Sequence, residues 1–346
     1  MKRPELLGLR GLTTLASPGS GKARLAILIY HRVLPERDPL DPDIPDQASF
    51  DWQMGLLAEE FHPVSLLEGV RGLVRGSLPP RAVAITFDDG YRDNYSVALP
   101  VLEKWGLPAT FFIATDYLHG RWMWNDLITE TVRRWPNSRM DLTPMGLGNW
   151  SLADDGSRRD ARLGLINALR YLPFDDRERN VKALWEMLDV SQEPRLMMAP
   201  HEVRALAGAG MEIGAHTRSH PILSNLEPGT AREEIAGSRA ALEDLVGGPC
   251  RLFAYPNGCP GRDYGAEHVR MVRELGFEAA VSTQWGAAGR RTCPYQLPRF
   301  TPWNETPKGF YLGLLRNLLR GTGPVASGAS GPAVRGSAED TRSPGH

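Results

Sequence analysis

Short apolar runs, each the length of a buried strand, recur along this chain with helix-patterned stretches between them. Leu25–His31 is the first, Ala82–Ile85 the second and Ala109–Ala114 the third. Met211–Ala215, Leu252–Tyr255, Glu278–Thr283 and Gln296–Phe300 continue the series. Runs with so little polar alternation suit strands covered on both faces, as in a parallel sheet under helices. Ser49–Phe61, Leu66–Val74, Asn94–Trp105, Ala231–Val246 and Tyr264–Leu275 carry helical spacing or caps and supply the crossovers. This rhythm predicts a (β/α) barrel or an open doubly wound sheet.

The rhythm breaks over residues 118–200. Trp122, Trp124 and Trp135 come early in this stretch, helical patterns follow, and no strand pattern is visible. It reads as a helical insertion in a catalytic domain spanning 25–320. Residues 1–24 read as a weakly ordered lead-in. From Gly321 onward 13 of 26 residues are Gly, Pro or Ser, so 321–346 reads as a disordered tail.

Forty basic residues against 41 acidic ones, with no long block of one sign, exclude a dedicated nucleic-acid binder. No window reaches the ~18 consecutive apolar residues of a transmembrane span. The first residues lack the unbroken apolar core of a secretory signal. Cytoplasmic residence is therefore expected, with the cell envelope or exterior as the alternative. Cys250, Cys259 and Cys293 are too few for a disulfide framework. Neither Gly-x-Gly-x-x-Gly nor a Walker loop occurs, and nothing in the sequence speaks of oligomeric state.

Two short motifs carry the chemistry. Thr86-Phe87-Asp88-Asp89-Gly90 ends an apolar run on adjacent carboxylates, which repel unless a cation or proton intervenes. His216-Thr217-Arg218-Ser219-His220 follows another run and sets two imidazoles four residues apart. Separately, the first can be an ordinary Asp-Gly turn and the second a loop with unrelated histidines. Together, two histidines and a carboxylate at strand ends suit a half-open divalent-ion site. The neighbouring carboxylate would then be left to act as a base.

The two motifs resemble the first and second motifs of the polysaccharide deacetylase family, carbohydrate esterase family 4. The resemblance covers about residues 25–303, with 118–200 as an expansion. It implies a deformed (β/α) barrel and a hydrolase acting on carbon–nitrogen (non-peptide) bonds. The reaction it implies is removal of N-acetyl groups from amino sugars of a polysaccharide or glycan precursor. Asp88 would be the general base, and Asp89, His216 and His220 would hold a divalent ion, Zn²⁺ foremost.

Later motifs depart from the family pattern. Ala254-Tyr255-Pro256-Asn257-Gly258 matches the third motif but has Ala254 where the family has arginine. Tyr255, Pro256 and Asn257 remain candidates for the oxyanion and substrate side, through the Asn257 backbone N–H above all. Arg299, in Leu297-Pro298-Arg299, is the candidate replacement for the missing arginine. The fifth motif, Leu-x-His, is absent, since no histidine lies between His268 and His346. In the circularly permuted branch that includes poly-N-acetylglucosamine deacetylases, an N-terminal Tyr-His supplies the acid. Tyr30-His31 fits that role, with a structural core histidine as the alternative.

His62, His119, His201 and His268 show no partner pattern. Trp122, Trp124 and Trp303 are core residues or sugar platforms. Lys308–Leu319 is a basic amphipathic helix that packs on the barrel or lies on a membrane surface. Two other readings compete: a non-catalytic carbohydrate-binding relative, and a metal-dependent amidase acting on a non-sugar amide.

Overall fold

The computed structural model describes residues 8–188, 195–320 and 326. All seven apolar runs form strands: β1 (Arg24–Tyr30), β2 (Ala82–Phe87), β3 (Thr110–Ile113), β4 (Glu212–Ala215), β5 (Leu252–Ala254), β6 (Ala279–Trp285) and β7 (Leu297–Arg299). Each pairs in parallel with the next in chain order. Just beyond β7, the Phe300 N–H donates to the Ile27 carbonyl at 2.7 Å, and the Ile29 N–H donates to Phe300 at 3.0 Å. These bonds bring the last strand back to the first. Two short segments complete the sheet: His62–Pro63 along the start of β2, and Ala288–Gly289 antiparallel to β1. The result is a nearly closed, deformed (β/α) barrel rather than an open doubly wound sheet.

Alternate residues of the strands feed two separate apolar clusters, as the two-residue period of a strand requires. Leu25 and Ile27 of β1, Ala82 and Ala84 of β2, Phe112, Leu252, Ala254, Val281 and Leu297 form one, closed by Leu66, Val70 and Leu73. Ala26, Leu28 and Tyr30, Val83, Ile85 and Phe87 belong to the other, with helix residues such as Phe50, Leu57 and Leu102. Tyr30 stacks on Phe87, and Phe87 on Phe111, at ring separations of 5.4 and 4.7 Å. Phe87, the middle ring of this row, immediately precedes the carboxylates that follow β2.

Two compact units are present. The barrel lies within Met1–Glu36, Asp43–Gly120 and Leu196–Gly328, and the second unit within Arg37–Pro42 and Arg121–Arg195. The second unit has helices at Trp124–Arg134, Asp155–Leu169 and Phe174–Glu186 around Ile128, Val132, Leu165, Ile166 and Leu184. It also contains an antiparallel hairpin, Arg139–Asp141 with Asn149–Ser151, where the sequence showed no strand. Only Met140 is buried in the first of these segments, and three residues are too few for alternation to stand out. Trp122 and Trp124 are 8% and 5% exposed, so they belong to packing and offer no open sugar platform.

Leu9–Ala16 forms a helix within the stretch expected to be a weakly ordered lead-in. Its sequence, with Gly11 and two threonines, is a poor helix former. Tertiary contact supplies the support, as buried Thr13 donates to the Tyr311 hydroxyl at 3.2 Å. Pro307–Leu319 buries Phe310, Tyr311, Leu314 and Leu318 and packs on the barrel. Apart from Ala326, the tail from Gly321 lies outside the described residues. Among those residues all three cysteines are free, and no helix is long and apolar enough to cross a membrane.

Gly214 of β4 is tightly enclosed between β3 and β5. A Cβ on Gly214 would meet the Phe112 ring at 2.5 Å and the Leu252 carbonyl at 3.1 Å. Gly214→Ala is expected to lower stability by about 1–3 kcal/mol through overpacking. An unchanged urea-unfolding midpoint would show that the barrel interior yields more easily than this contact implies.

Candidate active site

Parallel strands deliver their carboxyl ends to one mouth, where such barrels carry their sites. His31 follows β1, Asp88 and Asp89 follow β2, His216 follows β4, and Tyr255-Pro256-Asn257 follows β5. Arg299 is the last residue of β7.

Arg299 is fully buried and forms a two-point ion pair with Asp88. Its Nη1 and Nη2 donate to Oδ1 and Oδ2, both at 2.7 Å. The Nε donates to the Ser282 carbonyl at 2.8 Å, and Nη1 also reaches the Thr86 hydroxyl at 3.3 Å. Burial alone would raise the Asp88 pKa, but Arg299 foremost, with His216 and His31, holds the carboxyl below its ordinary range. Ala254 sits in the same interior cluster as Phe112, whose ring lies 6.0 Å from the Arg299 guanidinium. A small side chain at the family's arginine position therefore accompanies an arginine arriving from a different strand.

Asp89 faces the histidines instead. Its Oδ1 lies 3.3 Å from His216 Nε2 and 3.4 Å from His220 Nε2. One ligand atom from each residue falls within 4.8 Å of the others. The donor set tests well for a cation. His216 Nδ1 lies 2.8 Å from the Ala254 carbonyl, which only accepts, so that nitrogen carries the proton. In a neutral ring Nε2 then presents a lone pair to Asp89 Oδ1, a buried oxygen with no hydrogen-bond partner. Acceptors facing one another at this range require a cation or an extra proton between them. Burial pushes the His216 pKa down, yet Asp88 and Asp89 together hold it above the usual value. Burial likewise opposes ionisation of Asp89, and His220 foremost, with His216 and His31, overrides it and lowers its pKa.

Backbone strain gathers at the same mouth. Among the described residues six non-glycine residues have positive φ, and four are Asp89 (75°), Thr217 (61°), His220 (54°) and Asn257 (56°). Such conformations cost on the order of 1–3 kcal/mol each and cluster at functional sites. Gly90 follows with φ 91°, and a Cβ there would lie 3.3 Å from Ile113, so the turn after the carboxylates favours glycine on both counts.

His31 is half-buried and interacts electrostatically with Asp89, Asp88, Arg299 and His216. Burial lowers its pKa, while the two carboxylates pull the other way. Asn257 is half-buried, and its carbonyl accepts from the Thr283 hydroxyl at 2.7 Å. Pro256 is buried, and its carbonyl accepts from the Gly258 N–H at 2.6 Å. Tyr255, the third of these candidates for the oxyanion and substrate side, has its side chain engaged elsewhere. Its ring is buried against Tyr264, and its hydroxyl donates to the Tyr295 carbonyl at 3.1 Å. The strand period turns that ring toward the helix layer, so only the backbone of Tyr255 is left to the mouth.

Sequence reasoning did not find the support of the His31 turn. Asp93 accepts from the Arg32 Nε at 2.8 Å and the Val33 N–H at 3.1 Å, and Asn94 Nδ2 donates to the His31 carbonyl at 2.8 Å. The one available signal was the polar pair Asp93-Asn94, placed shortly after Asp88-Asp89 and just before an apolar helix face. Asn94 also opens a π-helical turn, Asn94–Ala98, a form often found at functional sites. The remaining histidines lie apart. His62 is bonded to the Pro80 carbonyl, His268 caps a helix through Gly265, and His119 and His201 are exposed.

The sequence profile described as polysaccharide deacetylase matches residues 75–146 and 170–280, more than half of the chain. A protein assigned as polysaccharide deacetylase YxkH, from Bacillus subtilis (strain 168), is 23% identical over 278 residues, covering 80% of this chain and 71% of its own. The poly-beta-1,6-N-acetyl-D-glucosamine N-deacetylase of Staphylococcus epidermidis is 31% identical over 105 residues, 26% of this chain and 36% of that one. Among solved structures, Streptococcus pyogenes deacetylase PplD in complex with acetate superposes with a TM-score of 0.57 at 20% identity, covering 86% of this chain and 98% of that one. IcaB from Ammonifex degensii gives 0.55 at 19% identity, covering 87% and 98%. At these identities the superpositions speak for the fold, and the profile match speaks for the family. The chain belongs to the polysaccharide deacetylase family, hydrolases of carbon–nitrogen bonds other than peptide bonds.

Proposed function

We propose that this deacetylase removes N-acetyl groups from amino sugars of a polysaccharide or glycan precursor, using a divalent ion, Zn²⁺ foremost, held by Asp89, His216 and His220. The carrying observation is the division of labour between adjacent carboxylates. Arg299 holds both oxygens of Asp88, while Asp89 turns a partnerless buried oxygen toward two imidazole nitrogens. The poly-N-acetylglucosamine deacetylase named above supports an N-acetylglucosamine polymer as the substrate class.

When bound, such an ion polarises the amide carbonyl and acidifies water. The chain's own residues do the rest. Asp88, kept ionised by Arg299, accepts the proton of the attacking water. The Asn257 N–H donates to the oxygen that gains charge as the carbonyl becomes tetrahedral. His31, once protonated, donates to the leaving nitrogen, so that an amine rather than an amide anion departs. Acid–base help of this kind is typically worth ~10²–10⁴-fold in rate.

Acetate release from N-acetylglucosamine oligomers of several linkages tests this directly, with small acylamides as comparison. Turnover of the oligomers is expected to vanish with a chelator and return with Zn²⁺. Turnover confined to the acylamides would place the enzyme among amidases, and no acetate from any substrate would favour the carbohydrate-binding alternative.

His216→Ala is expected to lose both bound metal and activity, whereas His31→Ala should keep its metal and lose ~10²–10⁴-fold in turnover. The loss for His31→Ala should shrink on an activated ester, whose leaving group needs no proton. Equal losses on amide and ester would assign His31 to pocket structure.

Arg299→Ala leaves Asp88 buried without its partner and should cost about 3–5 kcal/mol of stability. Because the native Asp88 pKa lies below the ordinary value of about 3.9, the pair's contribution is in place above that pH and is lost as pH falls through the native pKa. The stability gap between wild type and Arg299→Ala should therefore close on acidification below about pH 4. A gap independent of pH in urea unfolding would contradict the ion-pair account.

A further inference from the structure

The loop carrying both histidines is gripped by a carboxylate that the reaction does not use. Thr217 and His220 hold φ values of 61° and 54°, and a β-branched residue in the left-handed region is a strained one. Within the loop, the Thr217 hydroxyl accepts from the His220 N–H at 3.1 Å. From outside, Glu234 on the helix Pro228–Val246 reaches across. Its Oε2 accepts the Arg218 and Ser219 N–H groups at 2.8 and 2.9 Å, and its Oε1 accepts the Ser219 hydroxyl at 2.8 Å.

Three residues further along that helix, Gly237 makes room for the same loop. A Cβ there would lie 2.6 Å from Arg218 Cδ, so the arginine stem passes where any larger residue would place carbon. Positions three apart share one helix face, so acceptor and gap work side by side. On the other side, the Tyr117 hydroxyl donates to the Ser219 carbonyl at 3.0 Å, and Arg218 Nε donates to Asp116 at 3.3 Å.

We propose that Glu234 is a positioning residue for ion binding: with the gap at Gly237, it holds the strained Thr217–His220 turn so that His220 meets Asp89. The inference rests on reading Asp89, His216 and His220 as the ion site. His220 follows Ser219 directly, so releasing Ser219 lets the turn relax toward ordinary φ and carries the imidazole-bearing backbone away from Asp89. The grip works by shape rather than by charge. A glutamine in the same place can accept both backbone N–H groups through its carbonyl and donate its amide to the Ser219 hydroxyl.

The test is a Zn²⁺ competition titration of the full, metal-stripped chain against a chromogenic chelator. Glu234→Ala is expected to weaken Zn²⁺ binding ~10–100-fold, the range typical of residues that orient metal ligands. Glu234→Gln should stay close to wild type. Gly237→Ala should also weaken binding, and adding Arg218→Ala in that background should restore it, because the clash is removed. Unchanged affinity in Glu234→Ala overturns the proposal, as does an equal fall in Glu234→Gln, which would make the effect one of charge. If Glu234→Ala fails to unfold cooperatively, the Gly237→Ala pair decides, and a loss that Arg218→Ala does not restore overturns the proposal. Wild type and His216→Ala binding Zn²⁺ equally would instead remove the ion-site reading on which the inference stands.

Discussion

The interaction on which the mouth of this barrel depends is the buried pair between Asp88 and Arg299. Withdrawing two charges from water is costly, and mutual attraction repays it only with good geometry and further hydrogen bonds. Both conditions are met. The contact is two-pointed at 2.7 Å, and two further guanidinium N–H groups go to Ser282 and Thr86. What the pair secures is placement and protonation state. Asp88 cannot turn toward the imidazoles without breaking two charged bonds, so it stays ionised and aimed.

That constraint explains how neighbouring carboxylates differ so sharply. Asp88 directly follows a regular strand and keeps its pairing, with its N–H bonded to the Tyr30 carbonyl at 2.9 Å. Asp89 has already left the strand, at φ 75°, and the turn swings its side chain toward His216 and His220. The glycine that follows completes the reversal. A one-residue step thus separates a carboxylate paired with arginine from one whose Oδ1 faces the Nε2 atoms of two histidines. Backbone conformation and the partner each carboxylate meets thus give two identical side chains different surroundings.

Much of this was legible in the sequence, because buried parallel strands announce themselves as apolar runs and their ends carry the polar residues. The Asp88-Asp89-Gly90 turn and the His216–His220 loop are local features, readable within five residues. What was weakly marked or escaped was non-local or brief. Arg299 lies 211 residues from Asp88, and only the departure at Ala254 raised the question of a substitute arginine. The hairpin at Arg139–Asp141 was too short for its alternation to register, and the Leu9–Ala16 helix draws on contacts with Tyr311 that no local pattern contains. The direction of the Tyr255 ring was not legible for a geometric reason: next to a strand end, one residue's difference decides whether a ring faces the mouth or the helices.

Barrel closure is what makes the arginine substitution workable. In the order of strands, β1 separates β7 from β2, so Arg299 and Asp88 belong to strands that flank a common neighbour. Neighbouring strands lie about 4.8 Å apart, so the gap across β1 is roughly 10 Å. An extended arginine meeting a carboxylate can cover that distance through the interior. Alanine at position 254 lies on β5, which reaches β2 the other way round, past β4 and β3. An arginine there would approach the same carboxylate from the opposite wall. Two such side chains would compete for one pair of oxygens and for the space beside Phe112. A small residue on one wall and an arginine on the other is therefore a single arrangement, and it exists only because Phe300 ties the last strand to the first.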